Sequence, residues 1–227
     1  AISPDGARIA FKGVDGRLYL RDRDDMTSRP VQITGPTRTL HAPLFSRDGR
    51  ELYYVDVPAI DGRAPQIAVV LPRRLTLNQI PDPGLDLKKV PIDGGTPTPV
   101  LTGRRDEVMD PVWRDGNAIL FADSLGIHSV PANGGTPTKL LETPGAQHPQ
   151  MLPGGKWVLY STGDLINALA RGVPSTTAQI IVQSLADPND RRVVWKGGVA
   201  ARYVEATGHI IYQGVTQPGL WAFSFDA

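Results

Sequence analysis

The histidines are the residues of this sequence best suited to acid–base or metal chemistry, and there are four: His41, His128, His148 and His209. Metal ligands usually recur at short, regular spacings, and these histidines do not. His128 and His209 fall inside predicted strands, where a packed or hydrogen-bonded role is favoured. No serine can be assigned to a triad with any of them. The sequence therefore predicts no metal ion and no other cofactor.

Three carboxylates also have a recurrent context, because Asp5, Asp48 and Asp115 each stand directly before a glycine. Carboxylates in turns can bind calcium. An aspartate in a turn also hydrogen-bonds the backbone of that turn. We favour the second role for all three.

The known catalytic signatures are missing from the sequence. It has no G-x-S-x-G elbow, no P-loop, no G-x-G-x-x-G and no kinase catalytic loop. It also has no cysteine, which excludes disulfides, thiolate zinc sites and cysteine nucleophiles. We therefore expect no catalytic residue and no enzyme activity in this chain. Any kinase or hydrolase activity would belong to residues outside it.

Charge and hydropathy exclude two classes of partner. Lys and Arg number 24 against 23 Asp and Glu, so the chain lacks the basic surface of a nucleic-acid-binding protein. No stretch approaches the roughly 20 apolar residues of a membrane helix, so we expect no direct membrane contact from this segment. The start at Ala1, with no initiator Met or signal sequence, suggests a cut through a longer chain.

Internal repeats define the elements that must position any site. The segment 90–98 (VPIDGGTPT) returns at 130–138 (VPANGGTPT), with seven of nine residues identical at an offset of 40. A second series places a turn before a short apolar strand, and its turns end at Gly6, Gly49, Gly116, Gly155 and Gly208. Asp-Gly between apolar runs predicts a type I′ hairpin. Each unit therefore has two hairpins, and hence four strands, in about 40 residues, the size of a β-propeller blade.

The fold class predicted is all-β, a single β-propeller domain over 1–227 with about 18 strands and little helix. The blade units lie at about 1–35, 42–103, 110–142, 148–197 and 201–227, with insertions at 58–86 and 163–177. The first unit lacks most of its first strand, and the fifth ends on its third strand. Five blades of an expected six are present, so the chain is expected to be a fragment with an incomplete ring.

Several of these segments resemble a known family. The segment 2–11 (ISPDGARIAF) is similar to the repeat core of TolB-like, or WD-repeat-like, propellers. Three further segments, LKKVPIDGGTP at 87–97, MLPGGKWVLY at 151–160 and GLWAFSFD at 219–226, resemble the sensor propeller of bacterial eukaryotic-like serine/threonine kinases. The resemblance implies a six-bladed ring in the periplasm or outside the cell, with any membrane anchor outside this chain.

Strand parity predicts the binding face. The loop between the second and third strands of a blade lies on the same face of the ring as the loop leading into the first strand. Both insertions, 58–86 and 163–177, are loops of the former kind. That face also holds four polar residues predicted just before the first strands, His41, Asp110, His148 and Arg202. Variable loops with convergent polar groups are typical of a binding face, although these side chains can also simply be solvated.

Two hypotheses of function remain open at this stage. In the first, the chain is a non-catalytic sensor that binds a protein, peptide or small molecule. In the second, it is the substrate-gating propeller of a prolyl-oligopeptidase-type hydrolase, or a periplasmic TolB-like interaction module. The kinase-like segments favour the first hypothesis. Trp113, Trp157 and Trp221 are predicted to pack between blades.

Overall fold

The computed structural model describes residues 1–25, 27–34, 39–57, 85–104, 109–163, 177–215, 217 and 219–227. Within these ranges it contains eighteen strands and no helix, which confirms the all-β prediction and the strand count. No described helix therefore has the length and apolarity of a membrane crossing.

The strands form five antiparallel sheets, each built from strands that follow one another in sequence. Blade 1 contains β1 (Arg8–Lys12), β2 (Leu18–Asp22) and β3 (Ser28–Pro30). Blade 2 contains β4 (Thr39–Phe45), β5 (Glu51–Val57), β6 (Leu85–Pro91) and β7 (Thr98–Arg104). Blade 3 contains β8 (Met109–Arg114), β9 (Ala118–Asp123), β10 (Gly126–Pro131) and β11 (Thr138–Glu142).

Blade 4 contains β12 (Gln147–Met151), β13 (Trp157–Thr162), β14 (Gln179–Ser184) and β15 (Arg191–Lys196). Blade 5 contains β16 (Gly198–Val204), β17 (His209–Gly214) and β18 (Gly219–Ser224). Blades 1 and 5 have three strands, as predicted, and the only trace of a strand before β1 in the described residues is the Ile2–Ile9 bridge. The architecture is that of a β-propeller made of successive four-stranded meanders.

The chain divides into two compact units. The first unit holds blades 1 and 2 together with the turn at 133–136, and the second holds blades 3, 4 and 5. The expectation of one domain over 1–227 stays a prediction.

Blade 4 uses its two faces to contact its two neighbours in the second unit. In blade 4, Tyr160 and Ile181 pack against blade 3, whereas Leu159 and Val182 pack against blade 5. Successive side chains of a strand point to opposite faces, so this alternation follows from the sequence period of two. A cluster in the first unit joins blades 1 and 2 in the same way, through Leu20, Leu52 and Val90 among others.

Of the predictions that tryptophans pack between blades, the one for Trp157 is confirmed and the one for Trp221 is wrong. Trp157 packs against the cluster shared by blades 4 and 5, as expected. Trp221 was wrongly assigned to the space between blades, because β18 pairs only with β17 among the described strands and leaves this side chain 45% exposed. Trp195 of blade 4 does contact blade 5, because its ring stacks on Phe223 at 5.2 Å.

The Asp-Gly turns differ from the predicted type I′ geometry. In the first two turns only the glycine has a positive φ, +70° at both Gly6 and Gly49, and Asp5 and Asp48 do not, whereas in the third Gly116 (φ 75°) and Asn117 (φ 56°) are both left-handed. The amide of Gly49 donates to the carbonyl of Ser46 at 2.9 Å, which closes a four-residue turn. The loop of this hairpin is therefore two residues longer than a type I′ loop. Within the four-residue turn, only the last residue, the glycine, has to be left-handed.

The Gly-Gly turn of blade 2 contacts the segment that follows β3. The amide of Gly95 donates to the carbonyl of Gln32 at 2.7 Å, and the amide of Thr34 donates to the carbonyl of Gly95 at 3.0 Å. Gly94 has φ +93°, and a Cβ there would collide with the carbonyl oxygen of Gln32. The repeated motif therefore links one blade to the chain of the preceding blade, besides turning its own hairpin.

The two insertions lie almost wholly outside the described residues. β6 begins at Leu85, so Asp86 belongs to a strand and not to the first insertion as predicted. The register Thr39–Val57 places the start of that insertion beside the start of β4. The register Gln147–Ser161 does the same for the second insertion and β12. Whether the two insertions share a face stays a prediction.

Candidate functional site

A β-bulge recurs in the first strand of blades 2 to 5. In each blade the pairing register between the first and second strands shifts by one residue. Between the paired residues on either side of the shift, one residue of the first strand has a left-handed backbone. These residues are Ala42 (φ 47°), Asp110 (φ 47°), His148 (φ 53°) and Ala200 (φ 52°). Proline follows three of the four, at positions 43, 111 and 149. A left-handed residue other than glycine costs roughly 1–2 kcal/mol, so the fold imposes this conformation four times.

The bulges correct the predicted position of the site residues. His41, Asp110, His148 and Arg202 lie inside β4, β8, β12 and β16, not just before them, because each first strand continues through its bulge. Only Asp110 and His148 occupy the left-handed position itself. His41 precedes that position by one residue and Arg202 follows it by two.

Asp110 and His148 come together from neighbouring blades. His148 Nε2 lies 3.2 Å from Asp110 Oδ2, and the two side chains are 22% and 32% exposed. The same bulge in β8 and β12 turns both side chains toward each other. His148 Nδ1 is buried and has no hydrogen-bond partner among the described residues.

Arg202 reaches the same place from blade 5. Its Nη1 donates to the carbonyl of His148 at 2.9 Å and to the carbonyl of Ala201 at 3.0 Å. We call Asp110, His148 and Arg202 the bulge cluster. Three of the four predicted residues are thus in one place, in the second unit. His41 lies in β4 of the first unit, paired with Val55 through the backbone register.

Burial shifts the pKa of two groups in the bulge cluster. It lowers the pKa of the His148 imidazole, with Asp110 opposing the shift and Arg202 adding to it. Burial also lowers the pKa of the Arg202 guanidinium, against the pull of the Asp110 carboxylate. A histidine with a lowered pKa is neutral at pH 7 and carries one N–H. Because Nε2 faces a carboxylate, the proton belongs on Nε2.

Gln150 is a further residue of this site that sequence reasoning missed. Its side-chain Nε2 donates to the carbonyl of Tyr203 at 3.0 Å, and its Oε1 accepts from the amide of Tyr203 at 2.8 Å. The side-chain amide of Gln150 therefore makes the two hydrogen bonds to β16 that the backbone of a neighbouring strand would make. The signal available in the sequence was position, because Gln150 and Arg202 both stand two residues after a bulge.

Two of the three turn carboxylates, Asp5 and Asp48, have the capping role that the sequence favoured, and for Asp115 that role stays a prediction. Asp5 Oδ1 accepts from Ser3 Oγ at 2.5 Å and from the amide of Ala7 at 3.0 Å. Asp48 Oδ1 accepts from Ser46 Oγ at 2.6 Å and from the amide of Arg50 at 3.1 Å. These hydrogen bonds lower the pKa of both carboxyls, those from the serines most. In the described part of the chain no group of three or more potential ligands could hold a metal ion.

The other histidines agree with the packed or hydrogen-bonded role. His128 is buried in β10, where its ring stacks on Phe121 at 5.5 Å and its Nδ1 lies 3.2 Å from Asp123 Oδ2. Asp123 also accepts from the amides of Leu125 and Gly126, so it belongs to a structural turn. His209 Nδ1 lies 2.6 Å from the carbonyl of Thr207.

The bulge cluster has polar groups without a protein partner among the described residues, and no hydroxyl of those residues faces its imidazole. A nucleophile would need a hydroxyl against the imidazole, and His148 Nδ1 has no such partner in the described ranges. The guanidinium of Arg202 still has Nε and Nη2 as unused donors there, and Asp110 Oδ1 is an unused acceptor. Together these groups form a donor and an acceptor surface at one end of three neighbouring strands.

Comparison with known proteins identifies the fold. Neither protein-family profiles nor curated protein sequences give a match. Among solved structures, the putative TolB from Agrobacterium tumefaciens is 16% identical with a TM-score of 0.60 over 100% of this chain and 69% of its own. TolB from Acinetobacter baumannii is 14% identical with a TM-score of 0.66 over 99% and 51%. The chain therefore spans half to two thirds of these two proteins and has the TolB-like propeller fold that the sequence predicted.

The same fold also occurs in an enzyme. An oligogalacturonate lyase in complex with manganese is 12% identical with a TM-score of 0.55, over 99% of this chain and 76% of the lyase. Identities this low establish the fold alone, so the function of this chain has to be argued from its own residues.

Proposed function

We propose that this chain is a non-catalytic binding propeller whose ligand face is centred on the bulge cluster. The observation that carries the proposal is the meeting of Asp110, His148 and Arg202 from the first strands of three successive blades. First strands line the central channel of a propeller. Polar groups that converge there, half-buried and partly unused, are typical of a site that binds a ligand.

The connection between β13 and β14 adds to this support. It starts next to β12, the strand that carries His148, as the Gln147–Ser161 register requires. Long loops beside a rigid cluster are where propellers and other scaffolds carry specificity. We propose that a protein or peptide segment binds here, with a small molecule as the alternative. His41 remains a candidate for the same face.

We further propose that the chain is the extracytoplasmic sensor of a bacterial receptor-type serine/threonine kinase. The kinase-like segments at 87–97, 151–160 and 219–226 support this context. A periplasmic TolB-like interaction module and the gating propeller of a prolyl-oligopeptidase-type hydrolase are the alternatives. Sequencing the gene beyond both ends separates them, since the sensor requires a membrane helix and a kinase domain upstream. A hydrolase elbow downstream would overturn the sensor proposal.

Selection of peptides from a random library on the immobilised chain tests the binding face. Selected peptides should lose affinity when Asp110→Asn and His148→Gln are combined, and keep it in the matched control Asp48→Asn. Both variants replace a carboxylate, but only the first lies in the bulge cluster. A panel of peptides weakened by Asp48→Asn and unaffected by the double variant would place binding elsewhere and refute the proposal.

Assays for turnover test the non-catalytic part. The purified chain should hydrolyse neither peptides, esters nor ATP, because no described nucleophile faces the His148 imidazole. Turnover that persists through repeated purification and disappears in His148→Gln would show that the chain is an enzyme.

A further inference from the structure

Arg202 is a partly buried cation that has no contacting anion among the described residues. No carboxylate in that part of the chain lies within salt-bridge distance of its guanidinium, and the hydrogen bonds it makes there are the two from Nη1 to carbonyl oxygens. Buried charges in proteins are normally paired, because leaving an ion desolvated and uncompensated is costly. Nε and Nη2 lie along one edge of the planar guanidinium, and this two-donor edge fits a carboxylate or a phosphate.

The nearby carboxylate does not fill this role. Asp110 directs Oδ2 at His148 Nε2, 3.2 Å away, and acts on Arg202 only from a distance. A purely structural arginine needs no more than its Nη1 bonds, which join β16 to the bulge carbonyl of His148. The remaining two-donor edge is what a structural role leaves unexplained.

We propose that Arg202 binds an oxyanionic group of the ligand, a carboxylate or a phosphate, through Nε and Nη2. The inference rests on the proposed function, since it assumes that the bulge cluster is the binding face. It adds the chemical class of the group that binds there. The two Nη1 bonds to backbone carbonyls hold the guanidinium in position, so little side-chain entropy is lost when the anion binds.

Binding of an oxyanion should be linked to protonation of His148. In the cluster Asp110 and Arg202 carry opposite charges, and the imidazole of His148, whose pKa is lowered by burial, is neutral. A bound anion adds a second negative charge to the cluster, and protonation of His148 brings the net charge back to zero. The charged groups that act on this imidazole are Asp110 from β8 and Arg202 from β16. Affinity for the anion should therefore rise as the pH falls through the histidine range.

The test uses acetate and inorganic phosphate as probes on the intact 227-residue chain. Each is titrated at constant ionic strength, with chloride as the replaced ion, at about pH 5.5 and about pH 7.5, on either side of the ordinary histidine pKa. NMR signals of the His148 imidazole and the Arg202 guanidinium report binding. We expect saturable shifts and, for acetate, which is mainly ionised at both pH values, tighter binding at the lower pH. Whichever probe saturates first identifies the oxyanion as a carboxylate or a phosphate.

Variants decide whether Arg202 is responsible. Arg202→Gln should weaken binding about tenfold or more, the effect of losing charge-assisted hydrogen bonds. Arg202→Lys keeps the charge and one bond to the His148 carbonyl, and should weaken binding while the fold is retained. Arg50→Gln, an exposed arginine beside Asp48 in the first unit, is the matched control. Equal binding in wild type and Arg202→Lys, or shifts that follow Arg50 instead, would overturn the proposal.

The peptide selection separates this inference from the proposed function. Peptides that need the bulge cluster but bind equally well after their carboxylates are amidated would refute the oxyanion and leave the binding face intact. Peptides insensitive to the cluster would refute the binding face itself.

Discussion

Two aspartates show how differently this chain uses the same side chain. Asp48 Oδ1 is bound to Ser46 and to the amide of Arg50, both within two residues of it. Asp110 Oδ2 faces His148, on the next blade. The first carboxylate completes its own turn, and the second meets a residue 38 positions away.

The difference separates the residues that form a blade from those that join blades. The turns at Gly6 and Gly49 are self-contained, as the short-range hydrogen bonds of their glycine amides show. The bulges and the Gly-Gly turn at 94–95 contact a preceding or following blade. We expect a change at a self-contained turn to have a small effect, and a change at a joining position to be costly or to alter binding.

The largest effect is expected from Gly94→Ala compared with Gly49→Ala. Both glycines have a positive φ, so each alanine incurs roughly 1–2 kcal/mol of backbone strain. Only at position 94 would the new Cβ also collide with a backbone atom, the carbonyl oxygen of Gln32. Urea unfolding should show a loss of about 3 kcal/mol or more for Gly94→Ala. Equal losses for the two variants would contradict the distinction between the turns.

Gln150→Leu should follow in size. It removes the hydrogen bonds to the backbone N–H and C=O of Tyr203. These partly buried groups are left without that partner, a loss of about 1–3 kcal/mol in the free energy of unfolding. The control is Gln213→Leu, the same change at an exposed position in β17. Thermal unfolding of the two variants compares them directly, and a larger loss in Gln213→Leu would refute the role of Gln150 in joining β12 to β16.

The acid response of His148 should be smaller. Its pKa is lowered in the folded state, so the unfolded chain takes up the proton first as the pH falls below 6.5. Stability should therefore decrease from pH 6.5 downward, and His148→Gln should decrease less steeply. One proton limits the difference to about 1.4 kcal/mol per pH unit. His209→Gln is the control, and a slope that changes only in that variant would contradict the assignment.

Asp48→Asn should have the smallest effect. The asparagine keeps an acceptor for Ser46 and Arg50, so stability at neutral pH should change little. The lowered carboxyl pKa stabilises the fold above pH 3.8, and this contribution is lost as the pH falls through the folded-state pKa. Acid unfolding should therefore be slightly less steep in Asp48→Asn. A variant that unfolds already at neutral pH would show that the turn is not self-contained.

The sequence allowed the blades to be predicted because their signals are local. A turn, a strand of alternating residues and a second turn specify each hairpin, and the series from Gly6 to Gly208 repeats that pattern. The bulges were missed because Ala42 and Ala200 carry no mark of a left-handed backbone. A residue before proline is normally extended. The alignment of Pro43, Pro111 and Pro149 was the available signal.

The site was predicted only as a set of positions. Parity indicated which ends of the strands should gather polar residues, and three of the four came together. Parity does not fix partners. The bonds from Arg202 to the His148 carbonyl and from Gln150 to Tyr203 join residues 54 and 53 positions apart, and they depend on how two blades pack. Such contacts are properties of the assembled sheets and leave no local pattern.

The recurrent bulge also has an evolutionary consequence. Its left-handed position accepts alanine, aspartate and histidine, so the backbone holds this geometry whichever side chain is present. At Ala42 and Ala200, therefore, a mutation to a polar residue would not require a change in the backbone of the strand. Aspartate and asparagine tolerate this conformation better than most residues. On such a scaffold the side chain at the bulge can change one blade at a time, and selection can act on it separately from folding.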